Sequence, residues 1–396
     1  MAGSLAPATR SCHGWVRDIT RRMNENSSAS PAPIPVSVIT GFLGSGKTTL
    51  LGKLLRHPGM ADTAVIINEF GEIGLDHQLL EAAKDEPVVM SSGCLCCTVR
   101  SDLVDTLRGL WLKRVRGTIP QFKRVVIETT GLADPAPILH TLMEDPVVQA
   151  YYSLDGVITT VDALNGEWQL DAQMESVKQA AVADRIVLTK ADITRPETVA
   201  GLERRLHHLN PAAPILPAVQ GEIEPARLFD TGLYNPATKT VDVQGWLRAE
   251  AYGGGHDHHH DHGGDHDHSH DHDHARLDVN RHDARIRAHC LTLDEPLDWE
   301  SFSLWMGSLA SHHGEKLLRV KAILNVLGEE GPVAIHGVQH MFHPPARLPA
   351  WPDADRRSKL VFITRDLSRD FLETSLAEYR AQVAKAAAMA GAAPKR

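Results

Sequence analysis

From Pro35 onward, short runs of β-branched and aliphatic residues recur along the chain, separated by longer amphipathic stretches. The runs are VSVIT (36–40), AVIIN (64–68), PVVM (87–90), RVVIE (124–128), GVITTVD (156–162) and RIVLTK (185–190). Near-continuous apolar runs of this kind mark strands covered on both faces. The stretches between them, such as KTTLLGKLLRH and TRPETVAGLERRLHHLN, have helical character. Short buried strands alternating with helices predict an α/β fold with a doubly wound, mostly parallel sheet.

The pattern breaks at both ends and in the middle. Residues 1–33 are polar, with SSASPAP leading into the first run, and predict a flexible extension. The α/β domain is expected over 34–245. At 252–274 the chain reads YGGGHDHHHDHGGDHDHSHDHDH, which holds ten of the 23 histidines and nothing that can form a core, so 246–281 is expected to be a linker. Beyond it, ARIRAHCLTLDEPLDWESFSLWM, LLRVKAILNV, VAIHGVQHMFHP and SKLVFITRDL predict strands with at least one helix. This is a second, smaller α+β domain over 282–370, followed by an Ala-rich helical tail over 371–396.

Composition narrows the chemistry. The 396 residues are 42% hydrophobic and 23% charged, which is ordinary for a chain that buries a sizeable core. A formal net charge of −9 and the lack of any basic block disfavour nucleic acid as a main partner. Cys12, Cys94, Cys96, Cys97 and Cys290 are too few and too clustered for a disulfide-stapled secreted protein, so a reducing compartment is expected. The N-terminus lacks the apolar core of a secretory signal, and no apolar run reaches the ~20 residues needed to span a bilayer. The expectation is a cytoplasmic protein with no membrane partner.

The first run opens the most specific motif, Gly41-x-x-x-x-Gly46-Lys47-Thr48, with a strand before it and a helix after. Gly41, Gly44 and Gly46 let backbone N–H groups converge on phosphate oxygens at a helix N-terminus, and Ser45 and Thr49 belong to the same nucleotide-binding stretch. Lys47 supplies charge to the β- and γ-phosphates, and the Thr48 hydroxyl can ligate Mg²⁺. Glu128 ends another strand, where a carboxylate can hold Mg²⁺ directly or through water; Gly131, three residues on, offers an N–H to the γ-phosphate. A helix-capping glutamate is the plainer alternative for Glu128. Thr189-Lys190-x-Asp192 resembles the Asn-Lys-x-Asp guanine reader of GTPases, in which the aspartate accepts from two guanine N–H donors and the lysine lies over the ring. Adenine offers the opposite donor pattern there, so Asp192 would select GTP. Threonine in place of asparagine shortens the side chain that must find the motif's remaining partners.

Cys94, Cys96 and Cys97 crowd three thiols into four positions, and neighbouring cysteines strain any disulfide between them. In a reducing compartment such thiolates suit Zn²⁺ or Cu(I), with Co²⁺ also feasible and a fourth ligand needed to complete a tetrahedron. Buried structural cysteines and a redox pair are the competing readings. The His/Asp tract can bind several metal ions in weak, exchanging sites, or serve only as a solvated spacer.

Taken in order, GFLGSGKTTL, NEFGEIGLD (68–76), GCLCC (93–97), ETTGLADP (128–135) and TKAD resemble the CobW-like family of P-loop GTPases. Its members include zinc metallochaperones, cobalamin-biosynthesis proteins and activators of metalloenzymes. VKAILNV, IHGVQHMFHPP and SKLVFITRDL are similar to the family's second domain, so the resemblance covers roughly residues 34–370. It implies a metal held between switch segments, with Cys94, Cys96 and Cys97 as ligands. NEFGEIGLD would be the first switch, where Glu69, Glu72 and Asp76 meet either Mg²⁺ or the metal. The implied protein hydrolyses GTP, with Lys47, Thr48 and Glu128 as catalytic candidates, and passes zinc to a metalloprotein client. Cobalt handling for cobalamin synthesis, a His-rich metal buffer with a vestigial nucleotide site, and an ATP-using small-molecule kinase are the alternatives; TKAD argues against the last. No catalytic base or arginine finger stands out, so slow intrinsic turnover is expected. His312, His313, His336, His340, His343, Cys12 and Cys290 receive no role.

Overall fold

The computed structural model describes residues 33–67, 89–91, 99–229, 285–348, 350–351 and 354–391. The N-terminal extension, the NEFGEIGLD segment, the Cys94–Cys97 stretch and the His/Asp tract lie outside the described residues. The first domain runs β1 (Ile34–Gly41), α1 (Lys47–Leu55), β2 (Thr63–Ile67), β3 (Val89–Ser91), α2 (Val99–Val115), β4 (Arg124–Glu128), α3 (Ala136–Glu144), α4 (Pro146–Tyr151), β5 (Tyr152–Asp162), α5 (Gly166–Ala172), α6 (Met174–Val182), β6 (Arg185–Thr189), α7 (Pro196–Leu209) and β7 (Ile215–Ala218). The seven strands form one sheet in the order 3-2-4-1-5-6-7, and every pairing is parallel.

The described residues of all six apolar runs, Lys190 apart, lie in strands of this sheet, and successive residues serve opposite faces. Val36, Val38, Ala64, Ile66, Val125 and Ile127 share one core, while Ile39, Val65 and Val126 join Leu50, Leu51 and Leu54 of α1 in another. Both faces are apolar because both are covered, which is why the runs do not alternate. The seventh strand, β7, was not among the predicted runs. It is four residues long and contains Pro217, which the sheet accepts because β7 is an edge strand. The chain leaves β1 toward β2 on one side and later returns to place β5 on the other. The C-terminal end of β1 is therefore the switch point of the sheet, the usual ligand crevice of open α/β folds.

The second domain holds β8 (Ile286–Leu293), α8 (Trp299–His313), β9 (Leu317–Leu324), β10 (Val333–Val338), β11 (Met341–Phe342), β12 (Ala346–Arg347), β13 (Ser358–Arg365) and α9 (Arg369–Gly391). Its antiparallel sheet has the order 11-10-9-13-8, with β12 paired to β10. Along β13, Leu360 and Phe362 face the domain's own helices, in a core with Phe302, Trp305, Leu372 and Leu376. Val361 and Ile363, the intervening residues, belong instead to cores shared with the first domain. Cys290, the one cysteine among the described residues, is buried in that shared core. Among the described residues no helix is long and apolar enough to cross a membrane.

The shared face also carries charge. Arg319 and Lys321 on β9 reach Asp184, immediately before β6, at 2.7 and 2.6 Å, and all three side chains are almost wholly buried. The second Asp184 oxygen accepts from the Val157 backbone N–H at 2.9 Å. Burial alone would push the Asp184 pKa up, but Arg319 and Lys321 hold it well below the usual carboxylate range. At another point of the interface, the His140 ring on α3 lies 3.1 Å from the Val338 carbonyl and packs edge-on against His340.

Two predictions follow from this interface. Asp184→Ala leaves Arg319 and Lys321 without their shared carboxylate, and should lower unfolding free energy by about 3–5 kcal/mol, the cost of breaking a buried pair from one side. Urea denaturation measures it; a loss no larger than that of an exposed pair, about 0–1 kcal/mol, would contradict the assignment of this pair as a buried lock. The second concerns acid. Burial, reinforced by His340, pushes His140 from 6.5 down to about 4, although Val338, Glu144 and Asp134 pull the other way. The unfolded chain binds this proton more readily than the folded one, so the stability is fully present above 6.5 and is lost as pH falls toward about 4. His140→Gln should flatten the fall in stability across that window, and an unchanged pH profile would assign the acid sensitivity elsewhere.

Candidate functional site

The loop between β1 and α1 owes its shape to glycine at three positions. Gly41, Gly44 and Gly46 have φ of 142°, 71° and 90°, a region that side chains rarely adopt. At Gly41 space is also decisive, since a Cβ there would lie 2.4 Å from the Thr160 carbonyl oxygen. Lys47 folds back over the loop, and its ammonium donates to the Gly41 and Phe42 carbonyls at 2.9 and 3.1 Å. Ser45 is buried, while Thr49 is exposed on the first turn of α1.

Glu128 ends β4 beside β1, in register with Ile39, and its carboxylate is buried. The Thr48 hydroxyl donates to Glu128 Oε1 at 2.8 Å. A hydroxyl and a carboxylate so close together form a hard-oxygen donor set that suits Mg²⁺. The neighbouring Thr130 hydroxyl is buried with no hydrogen-bond partner among the described residues, which leaves polar capacity at the same spot. Gly131 then passes directly beneath the loop. A Cβ there would come within 2.7 Å of the Leu43 nitrogen and 2.8 Å of its Cα. Helix α6 holds this segment from behind: Gln179 donates to the Gly131 and Ala133 carbonyls at 3.2 and 3.0 Å, and Lys178 to Asp134 at 2.7 Å.

The tips of β5 and β6 secure the loop from the other side. Thr160 and Ser45 share a 2.6 Å hydroxyl contact, and Thr189 donates to the Ser45 carbonyl at 2.8 Å. The short threonine that weakened the guanine-reader motif is thus bonded to the phosphate loop itself. Lys190 bridges the Gly44 carbonyl at 2.9 Å and Asp162 at 2.7 Å. Two residues on, Asp192 is exposed in a short turn (Ala191–Ile193).

Gly41, Gly44, Ser45, Gly46, Lys47, Thr48, Thr49, Glu128, Gly131 and Lys190 therefore meet at one edge of the sheet, with Asp192 in the turn after Lys190. Cys94, Cys96, Cys97, Glu69, Glu72 and Asp76 lie outside the described residues. Among the described residues no group of three or more His, Cys, Asp and Glu side chains is arranged to hold a metal ion. Thr160, Asp162, Lys178 and Gln179 were not foreseen. A strand ending in Thr-Thr-Val-Asp was the one available signal, and it reads equally well as an ordinary strand terminus.

The comparisons with known proteins agree with this geometry. A family model described as CobW/HypB/UreG, nucleotide-binding domain, matches residues 35–217, and one described as cobalamin synthesis protein cobW C-terminal domain matches 286–380. The chain is 33% identical over 348 residues to the zinc chaperone YjiA of Escherichia coli, covering 88% of this chain and 99% of that protein. It is 32% identical over 199 residues to zinc-regulated GTPase metalloprotein activator 1 of Schizosaccharomyces pombe, spanning 48% of this chain and 47% of that protein. The crystal structure of Zn(II)-bound YjiA GTPase from E. coli superposes with a TM-score of 0.61 at 29% identity, over 88% of this chain and 99% of that one.

Because Gly131 touches the loop backbone, Gly131→Ala must displace Leu43 or itself. An ~1 Å misplacement of reacting groups can cost about 100-fold. Phosphate release from GTP is expected to slow on that order, with little change in melting temperature. Activity within a few-fold of the parent protein would show that the contact does not set the loop's working geometry.

Proposed function

The chain belongs to the CobW-like family of P-loop GTPases, and from that premise we propose that it is a GTP-hydrolysing zinc metallochaperone of the cytoplasm. In this reading Cys94, Cys96 and Cys97 bind the zinc, and a metalloprotein client receives it. The observation that carries the proposal is the coincidence of two features on one sheet edge. The phosphate loop leaves β1 there, and β3, parallel to β2, ends at Ser91 on the same edge just before the Cys-x-Cys-Cys stretch. The zinc-chaperone names of the relatives favour zinc over cobalt as cargo.

A nucleoside triphosphate in the loop takes over the Lys47 ammonium from the Gly41 and Phe42 carbonyls, bringing its charge to the phosphates. The Thr48 hydroxyl and the Glu128 carboxylate are the donors suited to Mg²⁺, which when bound neutralises charge on the β- and γ-phosphates. Gly131 offers its N–H beside the loop, held there by Gln179. Water is the nucleophile. Loss of the γ-phosphate relaxes the segments around the thiolates, so that the cargo is held less tightly and can pass on.

The test is linkage. GTP with Mg²⁺ should raise zinc affinity over the GDP state, and zinc should raise GTP affinity by the same factor, typically ~5–150-fold. Competition against a chromophoric chelator, run with GDP and with a non-hydrolysable GTP analogue, reads both. Cys96→Ala combined with Cys97→Ala should erase the difference and leave GTP binding without zinc nearly unchanged. Equal zinc affinities in the two nucleotide states would refute the chaperone cycle.

A further inference from the structure

Asp162 ends β5 with its side chain only 1% exposed, yet it is neither in the phosphate loop nor in the guanine-reader motif. Both of its oxygens are engaged. One accepts from the Leu164 and Asn165 backbone N–H groups at 2.8 and 3.3 Å; the other accepts from the Asn165 amide at 2.8 Å and from Lys190 Nζ at 2.7 Å. Burial alone would raise the pKa of this carboxyl, but the hydrogen bonds from Lys190, Asn165 and Leu164 outweigh it and keep it below the usual carboxylate range. Asp162 is therefore an anion fixed in place before any ligand arrives.

The residue it holds is unusual in its own right. Lys190 has φ 58°, in the left-handed region that a residue with a side chain seldom occupies. Its backbone carbonyl accepts from Ile193 N–H at 3.3 Å and from the Thr194 hydroxyl at 2.7 Å, which closes the turn carrying Asp192. Its ammonium is tethered twice, to Asp162 and to the Gly44 carbonyl. A lysine side chain is normally among the most mobile, and most of that freedom is already gone here. A base sliding against its alkyl stem finds the stem in position.

We propose that Asp162 is the positioning residue for guanine selection: by holding the Lys190 ammonium it sets both the lysine stem and the turn that presents Asp192 to the base. This rests on the reading of Lys190 and Asp192 as the guanine reader. Asp162 acts through Lys190 and does not itself touch the nucleotide. The tether also explains how a motif with threonine at its first position keeps its geometry. Thr189 fastens the strand end to the phosphate loop, and Asp162 fastens the lysine that follows.

The experiment uses the full-length protein and three probes: GDP, ADP and inorganic pyrophosphate. Asp162→Asn keeps the size and, through its carbonyl oxygen, the bonds from the Leu164 and Asn165 backbone N–H groups, but removes the charge and turns a donor toward Lys190 and the Asn165 amide. It should weaken GDP by about tenfold, since hydrogen bonds to charged groups are the stronger ones, and leave pyrophosphate unchanged. In a Lys190→Ala background the same change should cost nothing further. Equal losses for GDP and pyrophosphate would make Asp162 a strut of the phosphate loop and overturn the proposal, as would additive losses in the double variant. Lys190→Met, which keeps the stem and loses the tether, serves if Asp162→Asn does not fold. Retention of the parent ratio of GDP to pyrophosphate affinity in that variant also overturns it. The underlying reading fails separately, in the unaltered protein, if GDP and ADP bind equally well.

Discussion

The nucleotide edge depends on one constraint: a loop of glycine backbone, curled through positive φ and with little side-chain packing of its own, must hold a single shape. Hydrogen bonds from neighbouring strand tips meet that need. Thr160, Thr189 and Lys190 each contact the loop at Ser45 or Gly44, from two adjacent parallel strands. Thr129 joins the same belt through a 2.8 Å bond to the Thr40 hydroxyl. Each such bond contributes only about 0.5–1.5 kcal/mol, but several acting on a few residues remove most alternatives to the working conformation. Parallel pairing makes this possible, because it brings the C-terminal ends of all the strands to the same edge.

The segment that passes beneath the loop connects the site to the rest of the molecule. Residues 128–135 lead directly into α3, whose His140 meets the second domain at Val338. The same segment is held by Gln179 and Lys178 of α6, which packs against β9 of the second sheet. Two helices thus touch both the Gly131 neighbourhood and the second domain. The shared apolar cores and the Asp184 cluster make that domain part of one packed body rather than an appended module.

How much of this was legible in the sequence varies by element, for physical reasons. Strands β1 to β6 were readable because a sheet covered on both faces writes itself as unbroken apolar runs. β7 was hidden by Pro217, a residue that argues against a strand unless its edge position is known. The phosphate loop was readable because glycine and lysine spacing there serves chemistry that few other structures need. The belt of contacts that secures it was not, since Thr160 and Thr189 look like any β-branched strand residues, and Asp162 looks like a strand end. The domain interface was hidden for a related reason. Val361 and Ile363 alternate with Leu360 and Phe362 as core residues do, and nothing local says that the two sets meet different partners. Arg319 and Lys321, in LLRVKAIL, suggest a solvent face; only the fold brings Asp184 to them.

The shared core also has a temporal side. The described strands and helices of the first domain have been synthesised once Phe229 emerges, but α3, α6 and α7 pack against strands encoded beyond Arg285. At about 5–20 residues per second, on the order of ten seconds separate the first domain from the completed second sheet. During that interval the nascent chain presents uncovered aliphatic surface and an Asp184 still waiting for its cations. The order of the two domains along the message thus creates a period of stickiness at the ribosome that the finished molecule no longer displays.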